Sequence, residues 1–265
     1  MKLKVNAKSY ESTANTLFAL RDELGFSAND LCIYKGFAIN ENLALNDGDS
    51  VIFIKKGQIP PKHMLKEMMQ ARNSPELNVA LEHANIGVAG LGGLGSAVAI
   101  ALARVGVAKL KLVDFDVIDP SNLNRQQYFI SDIGKKKTTA LKQIIAHINP
   151  FVEVTTQDIY LDESNVNAVF EPCKIVAECF DNAKSKAMLL NTLKNKTIIA
   201  SSGVAGYGAS QDIKITQFAS NVWICGDLER AASIGNGLMA PRVGIAAMMQ
   251  ANKILELLAE QKKLE

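Results

Sequence analysis

The chain has 265 residues, 48% hydrophobic and 21% charged, an ordinary globular profile with room for one large domain, or for a large and a small one. Its 29 basic and 27 acidic residues leave a formal charge of +2, too even to imply nucleic acid or an anionic membrane as partner. No apolar signal segment opens the chain. The most apolar run, residues 86–107, is interrupted by several glycines and Arg104 and reads as strand, turn and helix, so a cytoplasmic protein is expected.

Residues 1–57 form a self-consistent small unit. "MKLKVN" alternates apolar and polar as a half-buried strand does, and "STANTLFALRDELG" gives a capped amphipathic helix closed by Gly25. "CIYKGFAI" and "DGDSVIFIKKG" follow as strands. Strand, helix and strands in so short a span predict a β-grasp-like domain. Residues 58–84 read as a helical connector. Pro60 and Pro61 start one helix, and Pro75, capped by Ser74, starts another.

Residues 85–265 alternate strand and helix. Strands are expected at 85–90, 109–113, 152–157, 174–178, 197–202 and 211–216. Helices are expected at 93–106, 135–148, 163–171, 182–195 and 241–258. This pattern predicts an α/β fold, a doubly wound, Rossmann-like, mostly parallel sheet preceded by the small β-grasp (ubiquitin-like) domain. The segment from Ala219 to Met239 has the poorest regular signal and is expected to be a mobile loop crossing the ligand face.

Gly90, Gly92 and Gly95 make G-x-G-x-x-G between a strand and a helix, with Gly93 as a fourth glycine. Such a turn lets backbone approach phosphate at a helix N-terminus. Asp114 closes the next strand, where a carboxylate can accept from ribose hydroxyls. A turn needed only for packing is the plain alternative, and the motif does not choose between NAD and ATP. Further on, Asn122, Asn124, Arg125 and Gln126 fall in a loop over the carboxyl ends of the strands. Lys135, Lys136 and Lys137 open a helix, and Asp181 and Asn182 end a buried strand. A triphosphate needs fixed cations, and a carboxylate at a strand end suits Mg²⁺ on phosphates. The bland readings are a solvated lysine face and a helix cap. Cys32, Cys173, Cys179 and Cys225 form no C-x-x-C pair, so no zinc is expected.

In order, "GLGGLGS", "DFD", "SNLNRQ", "GKKK", "FDN" and "GLMAPRVGIAAMMQANKILE" resemble the E1-like adenylyltransferases of the ThiF/MoeB/E1 superfamily, and residues 1–57 are similar to a ThiS-like sulfur carrier. The resemblance implies ATP-dependent adenylation of the C-terminal carboxylate of a Gly-Gly-ended carrier such as ThiS, in thiamine biosynthesis. It also implies Mg²⁺ and a homodimer. It places Gly93 and Asp114 at the adenosine and ribose, and Ser121 through Arg125 around ATP with Arg125 on the phosphates. Lys137 is the lysine of the "G-x-x-K" pattern, Asp181 the Mg²⁺ ligand and Asn182 its partner. Arg72 is the candidate for an arginine offered by the partner subunit. Cys225 is expected in a crossover loop, as a packing residue rather than a covalent link. The N-terminal domain continues as chain and offers no free carboxylate, so it is not itself the substrate. Three rivals stand beside this reading: a nicotinamide dehydrogenase, a silent scaffold, and E1-like activation of another substrate, a molybdopterin-type carrier or a tRNA-modification target.

Overall fold

The computed structural model describes residues 1–6 and 8–262, without the side chains of 261 and 262. The chain divides into two compact units, Met1–Val79 and Ala80 onward.

The first unit runs β1 (Lys2–Val5), β2 (Lys8–Glu11), α1 (Leu17–Glu23), β3 (Leu31–Tyr34), β4 (Phe37–Ala38), β5 (Ser50–Ile54) and α2 (Lys62–Gln70), then enters α3 (Pro75–His83), within which the division falls. Its sheet has the order β2-β1-β5-β3-β4, with β1 and β5 parallel and the other pairs antiparallel, a β-grasp arrangement. Alternation along β1 and β5 turns Leu3, Val5, Val51 and Phe53 inward. They meet Leu17 and Leu20, which share one face of α1 because they are three residues apart. Thr16 caps α1, its hydroxyl accepting from the Ala19 N–H at 3.4 Å. The sequence reading did not include β2. Its residues, KSYE, lack a buried alternation because it is an edge strand. After β5 the chain returns as α2, and Glu67 reaches Lys4 of β1 at 3.4 Å.

The second unit holds β6 (Asn85–Ala89), α4 (Gly93–Val105), β7 (Lys109–Val113), α5 (Lys137–Ile148), β8 (Glu153–Gln157), α6 (Val166–Val169), β9 (Ile175–Glu178), α7 (Ala183–Thr192), β10 (Thr197–Ser201), β11 (Lys214–Ala219), β12 (Val222–Gly226) and α8 (Ala240–Lys262). The seven strands take the order β11-β12-β10-β9-β6-β7-β8, and only β11 is antiparallel to its neighbour. The α/β, doubly wound, mostly parallel expectation therefore holds. From β6 the chain winds outward to β7 and β8, then returns to β9 and winds the other way. The reversal between β6 and β9 opens a crevice at the carboxyl ends of the strands. Central strands buried on both faces read as continuous apolar runs, such as Ile175–Glu178, all four residues buried.

Two expectations need correction. The segment 219–239 is not one loop: residues 222–226 form β12, paired with both β10 and β11. Its run VWICG is a short buried strand, entered through a Ser220-Asn221 turn that lacks the usual glycine. Cys225 consequently lies inside the sheet rather than in a crossover loop, and burial pushes its thiol up to about 12. The other correction is to the lysine run. Helix α5 begins at Lys137, so Lys135 and Lys136 precede it. Among the described residues no helix is long and apolar enough to cross a membrane.

Candidate nucleotide site

Strand register builds the site. Ala89 at the end of β6 pairs with Val113 of β7 and with Glu178 of β9. Gly90, Asp114 and the turn Cys179–Asp181 therefore leave the sheet at one level. Around them lies a cavity of about 550 Å³, a size that suits a nucleotide. Gly90, Gly92, Gly93, Asp114, Asn122, Arg125, Lys137, Asp181 and Asn182 all contribute to its wall, although they come from five separate segments.

The glycines of the turn have different physical reasons. Gly90 adopts φ +87°, and a side chain on Gly95 would stand 1.8 Å from the Gly90 carbonyl oxygen, so both serve the tight turn itself. Gly93 is wedged between Val243 of α8 and the Arg125 side chain. Gly92 is the one that opens onto free space. A Cβ there would find its nearest neighbour, the Gln126 amide nitrogen, 3.7 Å away. That is the position at which backbone can approach a ligand.

Asp114 organises this turn. One carboxylate oxygen accepts the Leu91 N–H at 2.6 Å and the other the Asp116 N–H at 2.8 Å. Tyr128 locks the far side of the same turn, its hydroxyl donating to the Leu91 carbonyl at 2.8 Å. Each Asp114 oxygen keeps a second lone pair for a ribose hydroxyl.

The three consecutive lysines part company. Lys135 pairs with Asp132 and Lys136 with Asp158, both outside the cavity wall. Lys137 is buried, lines the cavity and holds Asp116 at 2.8 Å. Arg125 differs again. Its guanidinium donates only to the Ser121 carbonyl (3.1 Å) and the Asn124 side-chain oxygen (2.8 Å), and among the described residues it has no carboxylate partner. The polar segment before it is self-capped, since Asp119 accepts from the Ser121 N–H and hydroxyl and from the Asn122 amide. Ser121 and Asn124 stay out of the cavity wall, and Asn124 instead donates to the Leu238 carbonyl at 2.9 Å, tying down the loop after β12.

At the end of β9 the cap is Asn182, whose side chain accepts the Ser185 N–H at 2.8 Å. Asp181 is therefore released from capping. It stands exposed at the cavity wall, its carboxylate touched only by the Asn182 amide at 3.5 Å. Arg72 is an exposed residue of the first unit, and the lining comes wholly from the second.

The sequence reading placed Gln126 in the loop after β7 without a role, and it did not single out two further lining residues, Lys186 and Arg230. Gln126 is buried, and its side-chain oxygen lacks a hydrogen-bond partner among the described residues. Lys186 pairs with the fully buried Glu178. Arg230, in the loop after β12, pairs with Asp212 and Asp227. Asp227 also receives Arg242, a buried guanidinium that donates to the Ala209 carbonyl. Burial alone would raise the Asp227 carboxyl, but the Arg230 and Glu229 N–H groups and the two guanidiniums together hold it below its ordinary value. Only Glu178 left a readable signal, as a lone charge inside an apolar strand that requires a partner.

Known proteins with the same features now bear on the site. Residues 66–265 match the model described as the ThiF family, and residues 1–57 match a ThiS-like ubiquitin model. A molybdopterin-synthase adenylyltransferase of Salmonella typhimurium is 30% identical over 68% of this chain and 75% of its own length. The adenylyltransferase and sulfurtransferase UBA4 of Candida glabrata is 27% identical over 67% of this chain, which spans only 43% of that longer protein. In fold, the chain is similar to the Escherichia coli tRNA N6-threonylcarbamoyladenosine dehydratase TcdA solved with ATP. The TM-score is 0.70 at 21% identity, covering 78% of this chain and 99% of that one. The family model spans well over half of the sequence and includes every segment that lines the cavity: this chain belongs to the ThiF family.

Proposed function

We propose that the chain binds ATP in this cavity and adenylates the C-terminal carboxylate of a ubiquitin-like sulfur carrier. The observation that carries the proposal is the convergence of Gly92, Asp114, Arg125, Lys137 and Asp181 on one nucleotide-sized space at the topological switch point. A dehydrogenase reading accounts for the glycine turn and Asp114 but gives Arg125, Lys137 and Asp181 no task. The adenylyltransferase names of the relatives support the chemistry.

The carrier's carboxylate oxygen attacks the α-phosphorus of ATP, the bond to the β-phosphate oxygen breaks, and pyrophosphate leaves with its electron pair. A C-terminal carboxylate is ionised near neutral pH, so no general base is required. The chain's tasks are to align the reactants and to neutralise phosphate charge. Gly92 and the start of α4 present backbone N–H groups to phosphate. Asp114 takes the ribose hydroxyls. Arg125, with no acidic partner to give up, takes phosphate oxygens, and Lys137 exchanges or shares Asp116 with them. Among the described residues no group of three His, Cys, Asp or Glu side chains forms a metal cage. The exposed Asp181 carboxylate instead fits the way Mg²⁺ is usually held, by one or two carboxylates together with substrate phosphates. There the ion supplies neutralisation of the leaving pyrophosphate. Asp181 would hold it and Asn182 would fix the turn.

For the carrier, a ThiS-type protein is our choice, supported by the family match and by the fused ThiS-like unit; a molybdopterin-type carrier is the alternative that the relatives' names favour. The fused unit runs on through α2 without a free carboxylate, so it is not the substrate; it stabilises the enzyme or regulates docking of the true carrier. We assign the active form as a homodimer in which Arg72 is offered to the phosphates of the partner's site. Exchange of labelled pyrophosphate into ATP, measured with a panel of Gly-Gly-ended carriers, tests the proposal. Exchange that depends on one carrier supports it, and its absence with every carrier refutes it.

A further inference from the structure

Resting on the nucleotide reading of the cavity, we infer that Lys186 is a further phosphate-binding residue, held in place from below by the buried carboxylate of Glu178. The two residues lie on opposite sides of the Phe180–Asn182 turn, Glu178 at the end of β9 and Lys186 in the first turns of α7. The Lys186 ammonium stands 3.0 Å from each Glu178 oxygen, and Glu178 also accepts the Phe180 N–H at 2.8 Å. One carboxylate thus fixes both the lysine and the turn that carries Asp181.

Three features set this pair apart from a surface ion pair. Glu178 is wholly shielded from solvent, whereas the Lys186 side chain keeps 21% of its exposure and lines the cavity. An ammonium has three N–H groups; two face Glu178, and one remains for a ligand. The lysine also sits near the N-terminus of α7, where the helix dipole disfavours a cation and favours an anion. Burying a carboxylate is costly, and a well-packed apolar pair of similar volume is often no less stable. Burial pushes the Glu178 carboxyl up, and Lys186 pulls it the other way. What the arrangement yields is a cation whose position is set before the ligand arrives, the preorganisation that makes electrostatic stabilisation effective. Among the cavity's cations, Lys137 has a half-exposed partner, Arg125 has none, and Arg230 shares Asp227 with Arg242, whereas Lys186 is paired with a carboxylate that has no exposure at all.

Equilibrium dialysis of Mg-ATP against the full chain tests this. A double variant, Lys186→Met with Glu178→Met, removes the cation without stranding the buried carboxylate. It is expected to melt close to wild type and to bind ATP about tenfold more weakly, while Lys186→Arg alone stays within about threefold. A folded double variant that binds ATP like wild type overturns the inference, because the pair is then structural only. Wild-type protein gives a readout that does not depend on any variant folding. Mg-ATP should protect Lys186 from acetylation but not its exposed neighbour Lys184. Equal labelling of Lys186 with and without ATP overturns the inference as well. Both readouts need only nucleotide, so they stand even where no carrier supports exchange. Failure of wild type to bind Mg-ATP removes the nucleotide reading first and this inference with it.

Discussion

Alanine at Gly92 and at Gly95 should separate the part of the glycine turn that folds the protein from the part that binds the ligand. At Gly95 the added methyl would lie 1.8 Å from the Gly90 carbonyl oxygen and 2.9 Å from its carbon, both backbone atoms held by the turn. Overpacking a tight site typically costs 1–3 kcal/mol, and a backbone clash of this depth belongs at or above ~3 kcal/mol. For a unit of this size that corresponds to a fall of roughly 6–12 °C in Tm. At Gly92 the backbone has φ −72° and the nearest atom is 3.7 Å away, so the fold has room for the methyl. The room it fills is the cavity. Gly92→Ala should melt within about 2 °C of wild type, yet lose on the order of tenfold or more in Mg-ATP affinity, ~1.4 kcal/mol. Differential scanning fluorimetry with equilibrium dialysis reads both quantities. Wild-type ATP affinity in Gly92→Ala would refute the placement of phosphate against this turn. Wild-type stability in Gly95→Ala would refute the turn geometry.

Lys137→Ala should lower the rate of pyrophosphate exchange by about 10²–10³, the loss usual when one fixed electrostatic stabiliser is removed, and Asp116→Asn should cost far less. Asp181→Asn should fold normally and raise the Mg²⁺ concentration needed for half-maximal exchange; an unchanged Mg²⁺ profile would remove Asp181 from that role. Asn124→Ala frees the Leu238 carbonyl, so limited proteolysis within 227–239 should speed up, and an unchanged cleavage rate would contradict the tie. Asp227 has a lowered pKa, so its contribution is present above the ordinary value of 3.8 and is lost as pH falls through the lower folded value. The Tm gap between wild type and Asp227→Asn should therefore be constant from about pH 6 to 8 and shrink below about pH 4. A gap that persists unchanged in acid would contradict the Asp227 assignment.

Much of the architecture was legible because strand and helix periods are local. The apolar runs of β6 and β9, the glycine turn, and the cap and closing glycine of α1 all announce themselves within a few residues. The small unit's edge strand β2 was not, since its stability comes from pairing with β1 rather than from a buried face. β12 was missed for a related reason. A five-residue apolar run without a glycine turn gains its identity from β10 and β11 on either side. In the site, the spacing of Gly90 and Asp114 could be read directly because strand register fixes it. Which of Lys135, Lys136 and Lys137 faces the cavity could not, because that choice depends on where α5 begins and on acids, Asp132, Asp158 and Asp116, scattered along the chain. Lys186 and Arg230 are functional candidates only in three dimensions, and only there does the side-chain oxygen of Gln126 stand without a partner among the described residues.

Intact-mass analysis of a Gly-Gly-ended carrier, after incubation with this chain and Mg-ATP and rapid acid quench, measures the proposed product directly. A carrier species heavier by one AMP, formed by wild type and absent with Lys137→Ala, is the predicted result. A carrier that never acquires AMP, from an enzyme that binds NADH more tightly than Mg-ATP, would contradict it.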